Sequence, residues 1–376
     1  MLPLAIYFCH LYSKRNIIFQ SNWRCNNCSL VVLLLAGIIC FTSFLTKAQT
    51  VDTNNVIGQI GKYLLYRNHD TNYIANYGDE LGIKLLTNNK FNYLKILDGK
   101  AGKSLRYRPS RDVSLGIGIV YKWFALDLAF NLGLRNYSQI EGAQAFDFQG
   151  RLFSSKQLMV FSLQVYRGYK LENISGLDVE LTDHEELRPD MRTIYFGLEY
   201  FHALNYTKFS MKAPFVFNEI QRKSAGSPIV GVSFGIYSMT ADSSLVPPKA
   251  RNSLQSAAQM RDLSLINGAL NFGYMYTFVY KSHYFASLGL IPGININGGD
   301  FFDESEQKRK VVPLNAHFKI NSLNSIGYNG RKYFGGLSLI FDASYARLAN
   351  NLTSVTGRGV INLFVGIRFD APKIIR

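Results

Sequence analysis

The sequence predicts an all-β chain, a transmembrane antiparallel up-and-down β-barrel of about 12 to 14 strands. Three observations predict it. Apolar and polar residues alternate one by one from Val113 onward, the period of a strand whose side chains leave on opposite faces. The alternating stretches run about ten to fourteen residues, long enough to cross a bilayer at a tilt, whereas ordinary globular strands run about five or six. The last of them, Gly359 to Phe369 (GVINLFVGIRF), closes the chain with an aromatic, the pattern of an outer-membrane assembly signal, although a tail, 370–376, follows it.

Composition agrees. The 376 residues include 27 Phe and 23 Tyr but 2 Trp, with 31 Gly and 10 Pro, which suits strands and turns better than helix bundles. Residues 1–48 read as a signal peptide: Lys14, Arg15 and Arg24 precede the uncharged run Leu30 to Leu45, and Thr46-Lys47-Ala48-Gln49 forms a small-residue exit. A retained anchor is the alternative. The long basic region before the run fits a true start downstream of Met1. All four cysteines, Cys9, Cys25, Cys28 and Cys40, fall in this leader, so neither disulfide, thiol nor zinc chemistry is expected of the mature chain. Residues 49–80 read as a periplasmic lead-in and 81–369 as the barrel. The leader's four basic residues account for four of the net +15, so +11 remains, spread among strands. Export and that dispersion exclude nucleic acid as a partner and favour outer-membrane lipid or a small anionic solute.

The strands follow in order. After candidates at Leu81 to Leu86 and Phe91 to Leu97, Val113, Leu115, Ile117, Ile119 and Tyr121 oppose Ser114, Gly116, Gly118 and Lys122. Phe124, Leu126, Leu128 and Phe130 then oppose Ala125, Asp127, Ala129 and Asn131. A strand is also read at Phe209 to Asn218, with Phe209, Met211, Ala213, Phe215 and Phe217 on one face. Leu263 to Tyr280 carries no charge over eighteen residues, but its Asn and Gly content and its parity argue for a strand with an aromatic girdle rather than a helix. Leu337, Leu339 and Phe341 oppose Ser338 and Asp342; Ile361, Leu363, Val365, Ile367 and Phe369 oppose Arg358, Asn362 and Arg368. Loop lengths conflict. Short links at 121–124, 153–156 and 204–206 imply one sidedness, and those at 281–283 and 325–331 the opposite, so either a crossing is miscounted within 218–262 or one half of the barrel has short outer loops.

Leu105-Arg-Tyr-Arg-Pro109, LGIGIVYKWFALDLAF (Leu115 to Phe130), Leu187-Arg-Pro-Asp190, NEIQRKSAGS (Asn218 to Ser227) and GYMYTFVYKSHYF (Gly273 to Phe285), in that order, resemble the Bacteroidetes family catalogued as domain of unknown function 4421. The resemblance covers roughly Tyr63 to Phe369. It implies an outer-membrane-type β-barrel and no established reaction.

Candidate sites follow from the polar face. Lys122, Arg151, Lys212, Lys319, Arg358 and Arg368 point inward with Asp127, Asp147, Glu199 and Asp342, so the lumen is either salt-bridged and plugged or wet and mildly basic. His317 shares that face and is assigned to the lumen lining. No histidine sits in a Gly-x-Ser-x-Gly turn, and Ser282 beside His283 falls on the opposite strand face, so no catalytic set, metal or cofactor is expected. Asn218, Glu219 and Lys223 mark a polar turn that either holds an anion on its backbone N–H groups or is a plain structured turn. Arg108, Arg188 and Asp190 flank prolines that bend the chain at the barrel mouth. Asp242 to Asp262 and the charged segment Glu304 to Lys310 read as mobile surface loops. The function expected is an exported, non-enzymatic outer-membrane barrel, handled by the barrel-assembly machinery and acting as a scaffold or narrow anion-leaning pore. The alternatives are a lipid-modifying barrel enzyme or a soluble periplasmic β-sandwich binding protein.

Overall fold

The computed structural model describes residues 69–77, 80–109, 113–121, 124–131, 140–175 and 181–370. The leader, the tail beyond Asp370 and the Lys122 side chain lie outside them. Fifteen strands form where the alternation runs: β1 (Ile74–Asn76), β2 (Glu80–Asp98), β3 (Lys103–Pro109), β4 (Ser114–Tyr121), β5 (Phe124–Asn131), β6 (Gln144–Phe153), β7 (Gln157–Ser175), β8 (Leu187–Ala203), β9 (Glu219–Gln221), β10 (Ala225–Thr240), β11 (Met260–Tyr280), β12 (Tyr284–Asp303), β13 (Lys308–Asn329), β14 (Tyr333–Ala349) and β15 (Leu352–Asp370). Two short helices, α1 (Asp183–Glu186) and α2 (Ala213–Val216), interrupt them.

Ten strands close into an antiparallel ring in the order β2, β3, β7, β8, β10 through β15 and back to β2. One closed ring replaces two stacked sheets, so the sandwich alternative fails on topology. The closing pair is long, from Leu352 opposite Asp98 to Asp370 opposite Glu80. Gly357 and Gly359 of β15 face Tyr93 and Phe91 of β2, and a Cβ at either would sit about 2.2–2.3 Å from the ring opposite. These glycines let the aromatic rings lie flat across the seam.

Three strands stand outside the ring. β3 and β4 share one flank of β2, pairing with its residues 94–98 and 82–88 respectively. β5 pairs with β4, and β6 pairs with β7 along 158–167, below the stretch that β7 gives to β3. The short β5 and β6 are thus wedged beneath β3. Among the described residues no ladder joins them to each other.

The apolar face points outward. Ile266, Leu270, Phe272, Tyr274 and Phe278 of β11 are exposed, Leu270 by 72%, and so are Leu288, Ile294, Leu337, Leu363 and Val365 on neighbouring strands. From Ile266 to Phe278 is twelve steps of about 3.3 Å, which at a tilt of about 40° rises roughly 30 Å, the thickness of a bilayer core. Tyr280, Tyr284, Tyr328 and Tyr333 gather at one border of this band. Beyond the other, Arg309 pairs with Asp262 and Asp300.

The ring begins at Glu80 and ends at Asp370, which pair with each other at one end of it. Tyr121 and Phe124 pair at this terminal end, where the links 154–156, 281–283 and 330–332 also lie, so the sidedness conflict disappears. Its cause is Phe209 to Phe217, which is no strand. Pro214 sits in the first turn of α2, Ser210 Oγ accepts the Ala213 N–H at 3.0 Å, and Phe209 and Met211 are wholly buried. The second correction concerns Asp242 to Asp262. Leu245, Val246 and Ala258 within it are buried, and it folds into the far mouth instead of moving over the surface.

Candidate functional site

The lumen holds three layers: a seal at the terminal end, a belt of charge at mid-height and a seal at the far end.

The terminal seal is built from 69–77 and 204–224. The last residues of the predicted lead-in belong to it, since β1 pairs with β9. Phe217 is its keystone. Its φ of 69° is costly for an aromatic residue, and two things hold it there. Its ring packs on Phe285, Phe334 and Phe364, and its carbonyl accepts from Arg368 Nε at 3.1 Å and from the second guanidinium nitrogen. Arg368 also donates to Gly330 O and Asn329 Oδ1, while Asn329 Nδ2 donates to Glu219 O at 2.9 Å. Arg368 thus ties seal to wall and carries no solute path.

Lys212 is corrected from wall residue to seal residue. It pairs at 3.1 Å with Glu219, which is 0% exposed and also accepts from Ser155 Oγ at 2.8 Å and Ser210 Oγ at 2.5 Å. Burial alone would raise the Glu219 pKa, but the Lys212 ammonium and the two hydroxyls outweigh it and hold the carboxyl below its ordinary range. The turn that followed as an anion candidate is spent on structure. Ser224 Oγ accepts the Val279 N–H at 2.9 Å, Ala225 and Gly226 join the β10–β11 ladder, and Lys223 lies exposed over the Tyr73 ring. Asn218 gives its carbonyl to the Tyr77 N–H.

The far seal is the 241–259 loop. Its apolar residues pack on Leu94, Ile96, Leu105 and Tyr107 of β2 and β3. Tyr107 donates its hydroxyl to Leu245 O, Asp98 accepts from Gln255 N at 2.8 Å, and Arg188 donates to Ser244 O at 2.7 Å while its fork grips Asp190. Lys249 reaches Glu185 of α1 at 2.8 Å, and that hydrogen bond, with the Thr182 backbone, pulls the Glu185 carboxyl down to about 2. Arg108 stays outside, paired with Glu172. The Glu304 to Lys310 segment is a tight turn in which Asp303 caps Ser305 and Glu306 and pairs with Lys310, not a free loop.

Between the seals lies the belt. Arg358 and Asp342 are cross-strand neighbours joined by two hydrogen bonds, one of 3.1 Å, and the guanidinium lies over Tyr195. Lys319 crosses the lumen from β13 to reach Glu199 of β8 at 2.5 Å. Asp147 accepts from Lys90 at 3.1 Å, Gln164 at 2.8 Å and Tyr166; Asp127 pairs with Lys84 at 2.9 Å. Among the described residues no carboxylate lies within bridging distance of Arg151. Arg151 donates to Gln149 Oε1 at 2.5 Å, and its Nε is buried without a partner. Among the described residues the belt therefore carries five cations against four carboxylates. An arrangement of this kind can fix an anion and leaves no cluster of three metal-ligating groups among the described residues.

His317 sits at the edge of this layer, stacked on Tyr345 and accepting the Phe318 N–H on Nδ1. His202 meets the Tyr200 hydroxyl and His283 the Lys281 carbonyl. Lys84, Lys90, Gln149 and Tyr195 escaped the sequence reading. The signal for the two lysines was present: Gly82, Lys84, Leu86, Asn88 and Lys90 share one parity of β2.

No curated protein matches the chain. Among solved structures it is similar to the outer membrane protease OmpT from Escherichia coli, with 8% identity, a TM-score of 0.32, and 78% of this chain and 98% of that one covered. The OmpT of Vibrio cholerae aligns with 6% identity and a TM-score of 0.26 over 77% and 98%. The toluene transporter TodX of P. putida aligns with 8% identity and a TM-score of 0.21 over 78% and 91%. The family profile described as a domain of unknown function, DUF4421, matches residues 68–369, and the chain belongs to that family.

Proposed function

We propose that the chain is an exported outer-membrane β-barrel, inserted with its terminal end in the periplasm, whose work is structural rather than catalytic or conductive. The exposed apolar band with its tyrosine border supports insertion, because that surface in water would be a very large unprotected apolar patch. β15, which closes the ring, is the strand an assembly machinery would handle last. The observation that carries the scaffold over the pore is the pair of seals. Phe217 with its ring cluster fills one mouth, and the Leu245–Val246 loop fills the other.

Two measurements test this. Washing membranes with high salt should leave the protein in the pellet, and release without detergent would overturn insertion. In planar bilayers the wild type should show no conductance steps. A steady conductance whose ion preference inverts in Lys319→Glu would restore the anion-leaning pore.

A further inference from the structure

We infer that the gap between β5 and β6 is a side entrance to the charge belt, built to take the anionic head of a lipid-like molecule while its alkyl chain stays in the bilayer. The inference rests on the membrane reading above. Both axial routes are filled, so a molecule reaches the belt through the wall or not at all. Among the described residues the ring strands are laddered on both sides apart from 89–93 of β2, which lie between its β4 and β3 ladders. Between β5 and β6 no ladder forms among the described residues, and in hydrocarbon two facing strand edges would leave their N–H and C=O groups without partners. A polar head lying between those edges would supply partners.

The gap is framed. Lys90 crosses from β2 to Asp147 of β6 above it, donating to the carboxylate at 3.1 Å and the carbonyl at 3.2 Å. On one side stands Asp127 with Lys84, and on the other Gln149 with Arg151. Behind it is an open-sided cavity of ≈ 460 Å³, a volume that includes open solvent. Residues of β6, β7 and β8 line one wall, and those of β13, β14 and β15 the other. Asn271, bonded to Asn321 and Ser233, closes the β11 side. Gln149 and Arg151 carry this lining onto β6, the strand whose free edge bounds the gap.

Charge selects the head. The acids of the chamber are already matched, Glu199 by Lys319 and Asp342 by Arg358, which leaves Arg151 with a buried, unpartnered Nε beside the opening. A single carboxylate or phosphate balances it; a neutral or cationic head does not. Outside, Leu128, Phe130, Phe148 and Leu152 are exposed on the two flanking strands and offer the chain an apolar track.

Photo-crosslinking tests this in the full chain, floated in phosphatidylcholine vesicles at mildly alkaline pH. Two probes separate the sources of the anion, diazirine-bearing palmitate and diazirine-bearing phosphatidylglycerol. Label from either should concentrate on 126–130 and 146–152 and be displaced by free palmitate but not by methyl palmitate. Arg151→Gln should cut the concentrated label about tenfold, the size of one lost charge-assisted contact, and Arg151→Lys should retain most of it. Bridging Ala129→Cys to Gln149→Cys with a short reagent should abolish it, which serves as the second test if Arg151→Gln does not fold. Label spread evenly around a floated barrel, equal displacement by the methyl ester, or no effect of either variant would overturn the entrance and leave the barrel standing. Failure to float would sink both.

Discussion

Glu219 shows how a single buried charge holds a mouth shut. Its carboxylate has Lys212, Ser155 and Ser210 as partners at 2.5–3.1 Å, all three belonging to the terminal end and none to the barrel wall's outer face. Removing the charge in Glu219→Gln leaves Lys212 buried without its counter-ion, at a cost of about 3 kcal/mol. The pH dependence has a definite sign. A carboxyl held below its ordinary 4.5 contributes stability above that value and loses it as pH falls through the lower, folded value. The terminal seal should therefore be at full strength at neutral pH and loosen only in acid. Protease nicking of 204–224 in detergent, followed against pH, measures this: wild type should resist down to below pH 4.5, and Glu219→Gln should be cut at neutral pH. Equal resistance of the two proteins at every pH would show that the ion pair does not hold the seal.

Among the elements, the turns record which rules of sequence are local and which are not. Tyr280 to His283 makes an i to i+3 bond with Lys281 at φ 49° and Ser282 at φ 58°, a type I′ turn without glycine or asparagine. Each left-handed residue here costs about 1 kcal/mol, so Lys281→Asn with Ser282→Gly should raise the urea midpoint by an amount equivalent to about 1–2 kcal/mol, with the slope unchanged. No gain would mean the two residues relax to another turn. Strands β11 to β15 were legible from alternation alone, because each is long and has one exposed apolar face and one lumen face. Their ends were not, since pairing carries them past the exposed apolar band into charged residues such as Lys308 and Asp370. Phe209 to Phe217 misled for the opposite reason. Its apolar residues alternate by coincidence while nearly every side chain is buried, and Pro214 was the residue that spoke against a strand. The 241–259 loop reads as polar by composition; its burial comes from β2 and β3, over a hundred residues earlier in the chain, which periodicity cannot see. The same limit applies to the belt. Facing charges could be assigned to the lumen by parity, but that Lys319 reaches Glu199 and Arg151 reaches no acid depends on ring closure.

At the scale of the molecule, the two seals are in series and made from different chain segments, 69–77 with 204–224 at one mouth and 241–259 at the other. Series closure has a measurable consequence. Opening either mouth alone leaves the other as the limiting resistance, so replacing 206–222 by a short Gly-Ser link, or 243–257 likewise, should each give a silent bilayer. The two replacements together should give conductance, with the belt as the remaining constriction and its one uncompensated cation favouring anions. The ring itself should survive, because its ladders, including the closing β15–β2 pair, do not pass through either segment. Retention of the heat-dependent gel shift of a folded barrel would establish that survival in each variant. Conductance from one replacement alone would mean that the opposite seal opens by itself in a membrane, and the mouth that stays shut in that experiment would then be the one that defines the sealed state.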